Sequence, residues 1–231
     1  MRPLRSGLFY FVLTTLLIGC SKNSQDITDT FTSAFFSNEN GKITSNIVDS
    51  IPYASLYATL SGANNALLVL AYLESDKKTQ EPLLKWVSAD KEMVVTQHGR
   101  IIKTANLQPG NLLSLHSSEA DPLAQGLHLD STPHQWIFQL SWHPGYHIEY
   151  EGHSSFSVNG QVVRTLPNGE QRHLLYVTES VSISMIHQHY INEYWLSPTT
   201  GEVIETTQQL APNLPSMSLV IAKPLKNQGG I

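Results

Sequence analysis

The chain is predicted to be mainly β, an antiparallel meander curled into a barrel-like or folded-over sheet with a short N-terminal helix. Three observations carry that prediction. Apolar residues recur with period two over most of the length, the runs are short, and turn signals such as His98-Gly99, Pro144-Gly145, Asn168-Gly169 and Thr200-Gly201 separate them. A meander of so many short strands has to hide its edges, and closure or folding over does that.

The elements follow in order. Arg2 and Arg5 precede an uncharged apolar run over 7–18, too short to span a bilayer, so residues 1–19 read as a secretory leader. The run ends in Leu17-Ile18-Gly19-Cys20, an aliphatic residue and a small residue before the only cysteine of the chain, which makes Cys20 the expected site of lipidation. Ser21, where an aspartate favours retention in the inner membrane, directs the expectation to the outer membrane, periplasmic face. Residues 20–25 form a lipidated tether. Asp26 is placed to cap a helix carrying Ile27, Thr30, Phe31, Ala34 and Phe35 and ending near Asn40-Gly41. Residues 26–231 are expected to make a single β-rich domain.

Period two begins at 51–60, with Ala54, Leu56, Ala58 and Leu60 on one side, and a turn at 61–65 leads to the doubly apolar run 66–73, together a central hairpin. Further strands are expected over 83–89, 92–97, 100–104, 135–143, 147–163, 171–178, 180–190, 192–196, 202–210 and 217–222. Residues 107–133, rich in Pro, Gly and Asp, are expected to be an irregular insertion or short helical turns.

Cleavage before Cys20 leaves 212 of the 231 residues, and removal of Arg2 and Arg5 with the leader moves the formal charge from −5 to −7. That charge excludes nucleic acid as a partner by net electrostatics and opposes an acidic polymer. One cysteine allows no internal disulfide, so a 41% hydrophobic composition must supply stability through packing.

Three blocks share an order seen elsewhere. They are Ile51-Pro52-Tyr53-Ala54-Ser55-Leu56-Tyr57 with Ala66-Leu67-Leu68-Val69-Leu70-Ala71; Leu84-Lys85-Trp86-Val87-Ser88-Ala89-Asp90 with Gly99-Arg100-Ile101-Ile102-Lys103-Thr104 and Asp121-Pro122-Leu123; and Tyr194-Trp195-Leu196-Ser197-Pro198-Thr199-Thr200-Gly201-Glu202-Val203 with Gln209-Leu210-Ala211-Pro212 and Lys223-Pro224. With the lipidation motif they resemble the YjbF/GfcB family of lipoproteins, associated with group 4 capsule and exopolysaccharide export. The resemblance implies a mainly β periplasmic domain on the outer membrane, needed for secretion or assembly of a surface polysaccharide, with other export proteins as partners. It implies no catalytic residues. In bland physical terms Gly99 and Gly201 suit turns of positive φ, Pro52 and Pro198 suit strand ends, and Trp86 and Trp195 suit the core.

Individual residues, inside and outside the blocks, suggest three chemistries. If Pro144-Gly145-Tyr146 connects 135–143 to 147–163, apolar matching sets His143 opposite His147 and Ser141 opposite Glu149, a metal candidate of two imidazoles and a carboxylate beside the simpler reading of a polar strand face. Trp142, Tyr146, Tyr150, Tyr190 and Tyr194 are candidates for stacking on sugar rings, directly binding polysaccharide. Leu68, Leu70, Ile183 and Met185 would line an apolar cavity if the sheet carries acyl chains. His187 and His189 continue the stripe of Val181, Ile183 and Met185 and are expected to close its end. No nucleophile elbow, His-Glu-x-x-His helix, P-loop or dinucleotide fingerprint occurs, so no enzyme and no cofactor beyond the covalent lipid are expected. The sequence therefore points to an accessory protein acting by binding a partner protein or glycan.

Overall fold

The computed structural model describes residues 45–61 and 65–225, all within the compact unit Asn40–Ile231. The leader, Cys20, the tether and the helix expected over 26–40 lie outside the described residues. The first described element is instead a short helix, α1 (Ser45–Ser50).

Among the described residues twelve strands form one antiparallel sheet. The first five are β1 (Ser55–Leu60), β2 (Asn65–Ser75), β3 (Pro82–Val87), β4 (Met93–Gln97) and β5 (Arg100–Ala105). After β6 (Asn111–His116) and a one-turn helix, α2 (Pro122–Gln125), come β7 (Gln135–His143), β8 (His147–Thr165) and β9 (Gln171–Ile183). A 3-10 turn (Ser184–Ile186) leads to β10 (Gln188–Leu196), β11 (Val203–Gln209) and β12 (Ser216–Lys223). The order across the sheet is β5-β4-β3-β2-β1-β12-β11-β10-β9-β8-β7-β6. The two edge strands, β5 and β6, are therefore neighbours in sequence, and curling the sheet brings them together. Thr104 on β5 accepts from the Leu112 backbone of β6 at 3.0 Å and donates to Asn111 at 3.3 Å, so side chains bridge the gap that no ladder closes. The result is a nearly closed barrel, which disposes of the exposed edges the meander would otherwise carry.

The inner face follows the alternation of the strands. Trp136, Phe138, Leu140 and Trp142 of β7 point inward with Leu56, Leu68, Trp86, Val177, Val181 and Leu219. A second, smaller cluster forms on the outside. The far part of the β8–β9 hairpin packs Leu166 and Leu174 against Trp195 and Ile204, and Arg164 lies 4.5 Å over the Trp195 ring while pairing with Glu205. Trp86 and Trp195 are thus both packing residues, on opposite faces of the sheet.

The interval 107–133 contains a short helical turn, α2, as expected, but departs from expectation by also containing the strand β6. Only Leu112 of β6 is fully buried, and a bulge between Leu112 and Ser114 breaks its alternation, so the segment carries no clean period-two signal. Expected strands 171–178 and 180–190 also divide elsewhere. β9 runs unbroken through Glu179, and the chain turns at Ser184–Ile186 with His187 left-handed at φ 52°. His187 and His189 therefore do not extend the Val181–Ile183 stripe; His189 sits on β10, within 3.2 Å of Ser180.

Gly99 has φ +83°, and a Cβ there would stand 2.6 Å from Cγ2 of Val203 on β11. Gly99→Ala therefore meets both strain and overlap, and is expected to cost at least about 2 kcal/mol, read as a fall in the midpoint of chemical unfolding.

Candidate functional site

One end of the barrel gathers the β4–β5 turn, the β10–β11 turn, the 117–134 connection holding α2, and the points where the chain enters β1 and leaves β12. Two features occupy it, a buried polar network and an open cavity.

The network is built around Arg100, the first residue of β5, which points inward and is only 2% exposed. Its guanidinium pairs with Asp121 through Nε and, at 3.2 Å, through Nη2. Nη1 donates to Glu179 of β9 at 3.0 Å and to the Tyr194 hydroxyl of β10 at 3.1 Å. Its plane lies 4.5 Å from the Trp136 ring, a cation–π contact that helps replace water on that face. Asp121 also caps α2, its Oδ1 accepting from Leu123 N at 2.9 Å.

Glu179 is fully buried and would be untenable alone. It accepts from Ser154 (2.5 Å), Asn192 (2.8 Å), Tyr194 (2.7 Å) and Arg100. Burial pushes its carboxyl up, but the Arg100 charge and these hydrogen bonds outweigh that and hold it below the usual carboxylate range. Burial likewise opposes charge on Arg100, yet Asp121 and Glu179 keep its pKa well above the ordinary value. Tyr194 is driven well up, first by burial, and stays a neutral donor. One cation thus faces two carboxylates, and neutral donors supply the rest of the compensation.

The second feature is a cavity of about 410 Å³ beside this network. Leu56, Trp86, Leu123, Val203 and Leu219 form its depth, while Pro82, Leu84, Ile221 and Leu225 stand nearer the mouth. Gly99 and Leu123, which adjoin Arg100 and Asp121 along the chain, line it, so the network fixes part of its wall. Another part is the His128 ring, packed against Gly126 and Gly201; a Cβ on Gly201, where φ is +73°, would stand 2.7 Å from its Cε1.

The expected metal cluster does not assemble. The matched register holds from Trp136↔Ser154 to Leu140↔Tyr150, but β8 then carries a bulge, with Glu149 at φ 52°, and Trp142 pairs with His147. His147 stacks on Trp142 at 4.2 Å, and Ser141 Oγ accepts from the Glu149 backbone. His143 is left without His147 opposite it. Among the described residues no group of three or more His, Cys, Asp or Glu is placed to hold a metal ion.

The five aromatics do not share a surface either. Trp142 and Tyr194 are buried, Tyr150 and Tyr190 are half-buried against the core, and Tyr146 alone is fully exposed. The residues expected to line an apolar cavity are also elsewhere, since Leu68 and Ile183 are packed in the core, Leu70 packs against it and Met185 is exposed. Sequence reasoning missed Arg100, Asp121, Ser154, Glu179 and Asn192 as a set. The available signal was a charged residue on an apolar face, Glu179 between Val177 and Val181.

Comparison with known proteins places the chain in a family. Residues 28–221 match the family described as group 4 capsule polysaccharide lipoprotein gfcB, YjbF, and the chain belongs to it. It is 29% identical to the uncharacterized lipoprotein GfcB of Escherichia coli K12, over 97% of this chain and 99% of that protein. It is 26% identical to the uncharacterized lipoprotein YjbF of the same strain, over 93% and 96%. The crystal structure of the hypothetical lipoprotein YmcC from Escherichia coli K12 is similar with a TM-score of 0.72 at 26% identity, covering 89% of this chain and 98% of that one.

The network sets two expectations. Arg100→Met leaves the buried Glu179 and the half-buried Asp121 without their cation and should cost about 3–5 kcal/mol in urea unfolding at neutral pH. Glu179, whose folded pKa lies below its ordinary 4.5, contributes stability that is present above that value and lost as pH falls through the folded pKa. Glu179→Gln should lack this loss, so the stability gap between wild type and variant narrows below about pH 4.5; a gap independent of pH refutes the assignment.

Proposed function

We propose that the mature chain is held by lipid on Cys20 at the periplasmic face of the outer membrane and serves there as an accessory in secretion or assembly of capsule or exopolysaccharide, acting by docking a partner protein of the export machinery. The observation that carries this reading is the family match across 28–221 in a chain that also bears Leu17-Ile18-Gly19-Cys20. Docking is favoured over capture of an acidic glycan by the mature charge of −7. Burial of Trp142 and Tyr194 and the packing of Tyr150 and Tyr190 against the core, which leave Tyr146 alone fully exposed, argue the same way. At the end of the barrel opposite the cavity, the β7–β8 and β9–β10 turns expose Tyr146 (99%), Ile148 (59%) and Met185 (73%), apolar side chains of the kind a protein partner covers.

Cys20→Ser is expected to release the protein from the membrane fraction. In cells lacking the wild-type copy, Tyr146→Asp combined with Met185→Asp should leave the protein folded and anchored but lower surface polysaccharide and reduce crosslinked recovery of export proteins. Recovery of polysaccharide instead of protein, unchanged by the double variant, would overturn the docking reading.

A further inference from the structure

The cavity beside the Arg100 network is a poor place for a sugar or a peptide and a good one for hydrocarbon. Its depth is mostly aliphatic; of the buried polar groups there, Thr96 accepts the ring N–H of Trp86 at 2.8 Å and Thr206 donates to Glu193 O at 2.9 Å. Of the polar side chains nearer the mouth, His98 meets Glu81 at 3.0 Å, Gln125 donates to Ala120 O at 2.9 Å and Lys223 donates to the backbone carbonyls of Asp49 and Ile51, while Glu202 is exposed to solvent. One polar atom of the wall, Nδ1 of His128, is buried without a hydrogen-bond partner, but a polyol carries many hydroxyls, and on entering it would give up most of its hydrogen bonds to water. An alkyl chain loses none and removes apolar surface from water.

The cavity of about 410 Å³ gives Leu56, Trp86 and Leu219 a side that faces no protein neighbour, unlike a close-packed interior. Arg100, Asp121 and Gln208 instead hold the wall in place. Gln208 of β11 accepts from Ile101 N at 3.0 Å and donates to Gly99 O at 2.9 Å, so the β4–β5 turn cannot collapse inward independently of β11. The mouth also lies where the chain enters the domain, since Lys223, which lines it, holds the carbonyls at the end of α1 and before β1.

We propose that this cavity binds one acyl chain of a bacterial lipid. The site goes beyond the docking role and stands whether or not a partner protein covers the other end. The chain's own lipid and a separate membrane lipid present the same chemistry, and both are sources to be distinguished.

The test uses the full mature chain carrying Cys20→Ser, titrated with the fluorescent fatty acid cis-parinaric acid. Saturable one-to-one binding, displaced by palmitate and not by maltotriose, is expected. Ala124→Trp fills the mouth from the exposed side of α2 and should weaken binding roughly tenfold or more. Lys103→Trp, an exposed change on β5 away from the cavity, should leave it unchanged. No saturable binding, equal behaviour of the two tryptophan variants, or displacement by maltotriose as readily as by palmitate would overturn the proposal. A parallel titration of lipidated wild type identifies the source: fewer free sites than in Cys20→Ser assigns the protein's own acyl chain, and equal numbers assign a separate lipid.

Discussion

The Arg100 guanidinium is the interaction on which the closed form of this sheet depends. β5 is an edge strand, joined to its sequence neighbour β6 only by side-chain hydrogen bonds through Thr104 and Asn111. What holds its first residue inside the barrel is a charge shared between Asp121 in the 117–134 connection and Glu179 on β9, on the far side of the sheet order. Such a network is not a cheap source of stability, because three ions leave water to form it. It is, however, specific in position: any other register of β5 leaves Glu179 buried without its cation.

The network and the cavity are two consequences of one arrangement. Inward polarity is concentrated where β5, β8, β9, β10 and the N-cap of α2 meet, and there each group has partners. The wall beside it is left aliphatic. Gly99 and Gly201 let the two turns approach Val203 and His128 more closely than a Cβ allows, which shapes the mouth. The opposite end has a different character, with a bulge at Glu149 and exposed apolar side chains at its turns. The two ends of the barrel are therefore chemically dissimilar, one lined mostly by aliphatic side chains and braced by ion pairs, the other exposing apolar side chains at its turns.

Much of the fold was legible because period-two patterning is strong wherever one face is buried. β7 was bounded at both ends, and apolar matching of β7 with β8 set the register correctly up to Leu140↔Tyr150. The errors around β6, β7 and β8 share a cause. At Ser141, Glu149 and Leu113 a bulge adds or skips a residue, and alternation cannot anticipate where. The His143–His147–Glu149 cluster was lost to one such residue. The site was less legible than the fold, since inward-facing Tyr194 and Trp142 look like any exposed aromatic in a one-dimensional pattern. Only Glu179, a charge on an apolar stripe, stood out locally.

The sequence by itself determined the mainly β class, most strand positions, the turn glycines, and family membership through short blocks in a shared order. These are local properties, set by alternation and by backbone conformations only certain residues adopt. Tertiary structure alone decided that Arg100, Asp121 and Glu179 meet, that the edge strands close on each other, and that an aliphatic cavity remains beside them. The first of these joins residues 21 and 79 positions from Arg100, and all three depend on how the whole sheet curls and not on any pattern along the chain.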